Sequence, residues 1–343
     1  MAEITIRGAG IFGLSIAWVC AQRGAAVHVI DPGGPGAGSS GGVVGALAPH
    51  VPENWNPKKA FQLESLLMAQ GFWQDVEAAG GQSAGYARTG RLQPIADARM
   101  HALAAARSEG AKELWQGQAS WTIEPATGGE WEPPTPSGWL VRDTLSGRMH
   151  PRQACAALVA ALKSKGVTVA PDGPDRGRVV WATGIAGLEA LNQGRPRIMG
   201  AGVKGQAAVF EYDARTAPQL FTEGLHIIPH SDGTVAVGST SERDYANGAT
   251  TDGQIDTIIA TIRTRIPALA NAPVIEKWAG VRPRSRSRAP MLGAWPDRPG
   301  HYIANGGFKI GFGMAPKVAQ VMADLLLEDL NQIPTGFEVE ASF

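Results

Sequence analysis

Cysteine is scarce in this 343-residue chain, with two residues, Cys20 and Cys155, both in segments patterned as helix. So placed, they read as buried free thiols rather than a disulfide framework, which points to a reducing compartment. Net charge is missing too, since 31 basic residues balance 31 acidic ones. A balanced chain lacks the electrostatic footprint of a general nucleic-acid or membrane-surface binder. No uninterrupted apolar run approaches the length of a membrane-spanning helix. A cleavable leader is not expected either, because an apolar strand begins at Ile4 and cleavage would remove it. A cytoplasmic protein is therefore expected. Glycine and proline, in contrast, are plentiful at 44 and 24 residues. That abundance suggests tight turns and places where backbone lies close against another group. The length suits two domains or one large discontinuous one.

The glycines are most informative near the start. A short apolar strand (Ile4, Ile6) leads into Gly8-Ala9-Gly10-Ile11-Phe12-Gly13, then a helix closing near Gly24, then Val27-His28-Val29-Ile30 ending in Asp31. A G-x-G-x-x-G turn between strand and helix is a dinucleotide-binding pattern. Gly8 permits the turn, Gly10 lets a pyrophosphate approach the backbone, and Gly13 lets helix and strand pack closely. The helix N-terminus offers free N–H groups and a positive dipole end to phosphates. Asp31, eighteen positions after Gly13, is placed to bind ribose hydroxyls, which favours FAD or NAD over a 2′-phosphorylated cofactor. Arg7 is a charge where such a strand is usually apolar.

Pro32 to Gly42 is too flexible for strand or helix, and with Val43 to Pro49 it reads as backbone draped over a planar ligand. Helices are predicted over Ala60–Ala79, Asp97–Arg107, Pro151–Lys165 and Gln254–Ile266, and strands over Gly90–Ile95 and Trp139–Val141. Glu124–Pro136 reads as a surface loop, and Val179–Gly184 as a buried strand running into a turn. The middle is strand-rich: Gln206–Tyr212, Leu225–Pro229, Thr234–Gly238 and Val274–Trp278. Strand His301–Ala304, a glycine-rich loop Asn305–Gly313 and helix Met314–Leu330 close the chain.

Taken in order, these motifs resemble the FAD-dependent D-amino-acid oxidase superfamily, in its glycine oxidase and sarcosine oxidase branch. The resemblance runs through Gly8 to Asp31, Ser39-Ser40, Gly45-Ala46-Leu47-Ala48-Pro49, His150-Pro151-Arg152, Ala182-Thr183-Gly184 and Lys204-Gly205-Gln206. It continues through Ile227 to His230, Gly238-Ser239-Thr240, Trp278 to Pro283 and Gly306 to Pro316. It is similarly close to the oxidase domain that finishes a wobble-uridine modification in transfer RNA. The implied fold is α/β with two domains: a Rossmann-type FAD-binding domain from 1–60, 145–200 and 287–343, and a substrate domain on a mixed, mostly antiparallel sheet from 61–144 and 201–286.

The resemblance implies non-covalent FAD held by Gly8, Gly10, Ile11, Phe12, Gly13, Asp31, Pro32, Ser39, Ser40, Gly45, Ala46, Leu47, Thr183, Gly184, Gly307, Lys309, Ile310, Gly311 and Phe312. Arg282 falls on the family's substrate-carboxylate arginine, and a fixed guanidinium suits bidentate capture of a carboxylate. Lys309 aligns with a basic residue near the flavin and pocket mouth, although a solvated loop lysine reads equally well; both residues are implied as catalytic and substrate-binding. Ala46 stands where glycine oxidases carry methionine and would widen the pocket. His226 stands where they tend to carry a pocket tyrosine, and reads either as a substrate contact or as a core histidine. Val167–Arg178 leaves room for only a turn and a stub where relatives cover the adenosine side.

Arg282, Arg284, Arg286 and Arg288 would share one face if their segment stays extended, but Pro283 argues for a turn. No metal is implied. The implied activity is oxidation of the C–N bond of a small amine or amino acid of glycine, sarcosine or D-amino-acid type, by hydride transfer to flavin N5. The imine would hydrolyse and the electrons pass to oxygen or another acceptor. Two alternatives stay open: a stand-alone oxidase of a carboxymethylaminomethyl group on transfer RNA, the one reading with a nucleic-acid partner, and a non-catalytic flavin-binding subunit. The oligomeric state is left open.

Overall fold

The computed structural model describes residues 2–343. The apolar run at Ile4–Ile6 forms the strand Glu3–Arg7, which pairs in parallel with Ala26–Ile30 across the crossover helix Ile11–Gln22. These strands are central to a six-stranded sheet in the order Met291–Ala294, His301–Asn305, Arg178–Trp181, Glu3–Arg7, Ala26–Ile30, Val169–Ala170. All of its pairings are parallel except that of Met291–Ala294 with His301–Asn305. Its central strands bury most of their residues, and the charged ones, Glu3, Arg7 and Arg178, stand at strand ends. Ile4 and Ile6 are fully buried with Leu14 and Trp18 of the first helix and Met314 and Val318 of the helix Gly311–Glu328.

An eight-stranded sheet forms the second layer system, in the order Val274–Ser285, Gly200–Glu211, Thr234–Gly238, Leu225–Pro229, Gln219–Thr222, Arg91–Pro94, Trp139–Asp143, Trp121–Pro125. It is antiparallel except between Gln219–Thr222 and Arg91–Pro94. Side-chain alternation gives this sheet two distinct faces. Phe210, Ile227, Val235 and Val237 pack outward on Ile255, Ile258, Ile259 and Ile262 of the helix Gly253–Arg265. Ala207, Val209 and Ala236 face the other way, toward Val43, Val44 and Trp278. A two-stranded ribbon of Gly45–Leu47 and Gly147–Met149 lies between the two systems.

Several expected boundaries shift. Val274–Trp278 runs on to Ser285, carrying Arg282, Pro283 and Arg284 in one extended strand rather than a turn. The strand ends the sheet order, and an edge strand tolerates the N–H that proline lacks. Arg282 and Arg284 share a face; the chain then turns, the Arg286 guanidinium donates to the Phe343 carbonyl, and Arg288 comes back near Arg284. The last long helix begins at Gly311, not Met314, and ends at Glu328. A helix, Gly184–Asn192, stands where a turn was expected, and Trp121–Pro125 turns the front of the expected loop Glu124–Pro136 into strand. The short Val167–Arg178 stretch does contain a stub, Val169–Ala170, paired with Val29–Ile30. Arg7 is accounted for: its guanidinium donates to Asp175 at 2.6 Å and lies 5.3 Å over the Trp181 ring, tying the first strand to that stretch.

Candidate active site

A cleft of about 620 Å³ opens between the two sheet systems, with Asp31 and Pro32 at one end and Arg282 and Lys309 at the other. The first glycine turn forms one wall. Gly8 has φ of +107°, and a Cβ there would lie 2.4 Å from the Ala182 carbonyl oxygen. A Cβ on Gly13 would lie 1.9 Å from the Gly8 carbonyl oxygen, so glycine is required where the helix presses on the turn. Gly10 precedes the helix and supplies no capping side chain, while Ser40 Oγ accepts from the Ile11 N–H at 3.0 Å. The Asp31 carboxylate accepts from Ala9 N at 2.7 Å and Gly33 N at 2.9 Å, which locks the end of its strand to both glycine-rich loops. A carboxylate has about four acceptor positions, so ribose hydroxyls still find acceptors there.

The opposite wall is the inner face of the edge strand. Trp278, Arg282 and the backbone before Pro283 line the cleft, and the Trp278 indole folds across Gly280. The Arg282 guanidinium lies flat over Gly205, where any side chain would collide with it. Its Nη2 donates to Ser239 Oγ at 2.5 Å and its Nη1 to the Thr240 carbonyl at 3.4 Å. Both acceptors are neutral, and burial pushes the Arg282 pKa down to about 10, with only the field of Glu242 opposing the shift. Glu242 itself is engaged by Thr240 Oγ1, by Gln206 Nε2 at 3.0 Å and by Lys204 at 3.4 Å. Arg282 is thus a buried cation, 9% exposed, without its own carboxylate.

The closing segment supplies the third side. Ile310 at the N-cap of Gly311–Glu328 contributes no capping side chain, leaving first-turn amides and the positive dipole end beside the cleft. Lys309 projects from the preceding turn with a pKa held below the usual lysine value by partial burial, Arg282 and Arg284.

The cleft brings together Gly8, Gly10, Ile11, Phe12, Asp31, Pro32, Ser39, Ser40, Gly45, Ala46, Thr183, Gly184, Arg282, Gly307, Lys309, Gly311 and Phe312. Gly13, Leu47, Ile310 and His226 do not line it. Gly13 acts beneath the turn, and Leu47 is buried in the main core. His226 is on the inner face of its strand, its ring 4.7 Å from Phe221, with Nδ1 buried and unpartnered. Burial first, then the fields of Arg91 and Lys309, push its pKa down to about 3, so it is neutral at physiological pH.

Sequence reading passed over Trp181, Trp278 and Asn305 as lining residues. Asn305 donates to the Gly184 carbonyl at 2.8 Å and accepts from Gly306 N, joining two loops of the cleft. The signal for Trp278 was present: it stands four residues before Arg282 on an alternating strand. Outside the cleft, His150, His230 and Asp232 bring donor atoms within 4.8 Å of one another. His150 also caps the helix Pro151–Ser164, accepting from Gln153 N at 3.4 Å.

A cleft with an acidic anchor at one end and two helix N-termini whose N-cap residues supply no capping side chain fits a dinucleotide with a pyrophosphate. Both cysteines are buried thiols whose pKa burial raises to about 12, so neither offers a thiolate for covalent attachment.

The comparisons with known proteins agree with this chemistry. Glycine oxidase from Pseudomonas aeruginosa is 30% identical over 125 residues, which is 36% of this chain and 34% of that protein. The chain thus matches about a third of the length of that relative. Glycine oxidase from Bacillus licheniformis is 26% identical over 357 residues, covering 95% of this chain and 93% of its own. Among solved structures, glycine oxidase from Geobacillus kaustophilus superposes with a TM-score of 0.83 at 18% identity, covering 99% of both chains. A family model described as FAD dependent oxidoreductase matches residues 3–325. With that match spanning nearly the whole chain, the resemblance read from the motifs is borne out, and the protein belongs to the FAD-dependent oxidoreductase family and uses FAD.

Proposed function

We propose that this protein oxidises the C–N bond of a small amine or amino acid bearing a carboxylate next to the reacting carbon. The observation that carries the reading is Arg282, a buried guanidinium on the cleft wall that hydrogen-bonds only neutral oxygens. A desolvated cation without a counter-ion is costly unless an anion arrives to pair with it. A substrate carboxylate supplies that anion, and bidentate capture fixes the α-carbon in one orientation. Gly205 leaves the space in which the guanidinium lies, and Ser239 and Thr240 hold its plane.

FAD, when bound, supplies the two-electron acceptor for the hydride on the carbon beside the nitrogen. Gly8, Gly10, Phe12, Ser40 and the first-turn amides near Gly311 would hold it, with Asp31 at the ribose, and Thr183, Gly184 and Ala46 along the cleft. His226 is no candidate base, since it is off the cleft lining and its pKa of about 3 makes it a very weak proton acceptor. The substrate nitrogen would therefore enter in its neutral form, and the product imine would be hydrolysed by water. We extend the proposal to oxygen, or another oxidant, as terminal acceptor. The division into a cofactor domain (1–60, 145–200, 287–343) and a substrate domain (61–144, 201–286) belongs to the same proposal, supported by the distribution of the strands between the two large sheets.

The test is anaerobic titration of the purified yellow protein with amino acids and N-alkyl glycines, following the flavin absorbance. A carboxylate-bearing amine should bleach it, and Arg282→Ala should weaken the apparent affinity by roughly 100-fold, the loss of about 3 kcal/mol of charge-assisted hydrogen bonding. A protein that never binds FAD, or one bleached equally well after Arg282→Ala, would overturn the reading. Turnover by the isolated chain would also exclude a purely flavin-binding subunit.

A further inference from the structure

We infer that the mouth of the cleft holds a second anion subsite, centred on Arg284 and Phe308, which selects amines carrying a second negative group besides the carboxylate that Arg282 takes. This deepens the proposed function and rests on it. Arg284 follows Arg282 on the same face of one continuous strand. Its guanidinium lies 5.4 Å over the Phe308 ring, and the Lys309 ammonium lies 5.8 Å from the same ring. Phe308 and Lys309 line the cleft. Two cations therefore lie against one aromatic of the cleft lining, with Lys309 in the lining beside it and Arg284 just behind, two residues along the strand from the cation that anchors the substrate.

The rim adds to this. Lys58 donates to the Arg288 carbonyl, which brings the start of the helix Pro57–Gly80 onto the same turn. Arg288 and Arg243 are exposed nearby and act on Arg284. The perturbations of Lys58, Arg284 and Lys309 come from burial and from other cations, and no carboxylate contributes to any of the three. The chain as a whole carries no net charge and pairs many of its cations, including Arg107 with Glu53 and Arg142 with Glu124. Leaving these side by side without carboxylate partners raises the free energy of the free protein, and an anionic group of the substrate offsets that cost.

The concave placement around Phe308 favours a small dianionic amine, with the second carboxylate or phosphate a short tether from the reacting nitrogen. A nucleic acid would instead need a broad basic track, which an electrically balanced chain does not supply. In a simple field argument the second anion adds one charge-assisted contact, expected to improve kcat/KM by roughly 10- to 100-fold.

The experiment compares N-alkyl glycines with N-(carboxyalkyl)glycines of increasing tether length on the FAD-loaded protein, wild type and Arg284→Ala. The expected result is a dianionic-to-monoanionic ratio of kcat/KM of ten or more, with an optimum tether, falling at high ionic strength. In Arg284→Ala that ratio should drop at least fivefold, with Arg284→Lys restoring part of it. A ratio near one, or one untouched by Arg284→Ala, overturns the inference while leaving the proposed oxidation standing.

A binding arm separates the two ideas where no amine reacts: flavin difference spectra with inert succinate and acetate. Tighter binding of succinate that depends on Arg284 supports the subsite, and equal binding refutes it. Transfer RNA bound through Arg284 at physiological salt, with no preference among small dianions, would refute the small-molecule form.

Discussion

Arg282 and Lys309 are both cations at one end of the cleft, yet their surroundings make them different tools. Arg282 is buried and held flat by Ser239 and Thr240, a rigid fork for a planar anion. Lys309 is an exposed residue with a partly buried ammonium, and that burial, followed by the fields of Arg282 and Arg284, lowers its pKa below the ordinary lysine value. A lysine is charged below its pKa and neutral above it, so Lys309 loses its charge at a lower pH than a free lysine does. Affinity for a carboxylate substrate should therefore begin to weaken on the alkaline side before ordinary lysine titration, and Lys309→Met should remove that early part of the limb, leaving the part that follows Arg282. The check is the pH dependence of KM for wild type and variant; an early part that persists in Lys309→Met assigns it elsewhere. His226 gives no limb of its own near neutrality, because its pKa of about 3 keeps it uncharged through that range.

At the scale of elements, close backbone contacts explain more than helix propensity does. Gly80 ends the helix Pro57–Gly80 against the helix Pro151–Ser164, and a Cβ there would lie 2.6 Å from Ala161 N. Alanine is the better helix former by about 1 kcal/mol. The contact is with backbone, however, so the helices must part, at an overpacking cost of about 1–3 kcal/mol. Gly80→Ala should therefore destabilise the protein on balance, by about 1–2 kcal/mol in urea unfolding of the FAD-loaded protein. An increase in stability would show that the helix pair yields freely. The same logic governs the cofactor turn, where Gly13 meets the Gly8 carbonyl, and the ribbon, where Gly45 meets the Met149 carbonyl. In each case the glycine sets how near two elements approach, and that spacing shapes the cleft.

For the whole molecule, the cleft lies between two sheet systems that share few direct strand contacts, with the ribbon of Gly45–Leu47 and Gly147–Met149 between them. FAD spanning the cleft would add contacts to both sides that the unfolded chain cannot make. Binding to the native state alone stabilises by about 2.7 kcal/mol at a free concentration a hundred times Kd. Adding FAD to stripped protein should raise the midpoint of thermal unfolding by on the order of 5 °C, more with more cofactor. Calorimetry at two FAD concentrations checks this, and an unchanged midpoint would argue against a cofactor bridging the two sides. Among the described residues, no helix is long and apolar enough to cross a membrane.

Local chemistry in the chain was enough to determine the strand–turn–helix of Gly8–Asp31, the FAD-dependent family, and the positions of Leu225–Pro229 and Thr234–Gly238, which fell on their observed bounds. These are readable because each depends on contiguous residues: glycines at fixed offsets, apolar alternation, or a cap beside its own helix. What contiguous residues do not encode, the tertiary structure decided. Pro283 reads as a turn until the strand is seen to lie on a sheet edge, where its missing N–H costs nothing. Arg7 reads as a blemish until Asp175 and Trp181 arrive from far along the chain. The four arginines read as a row broken at Pro283 until the strand is seen to run on to Ser285, which keeps Arg282 and Arg284 on one face and sends Arg286 to the Phe343 carbonyl. The Gly8–Asp31 motif thus announces a dinucleotide through its own backbone, whereas the setting of Arg282 among Gly205, Ser239 and Thr240 exists only once strands distant in sequence are paired, because burial and hydrogen-bond partners are properties of the packed sheet.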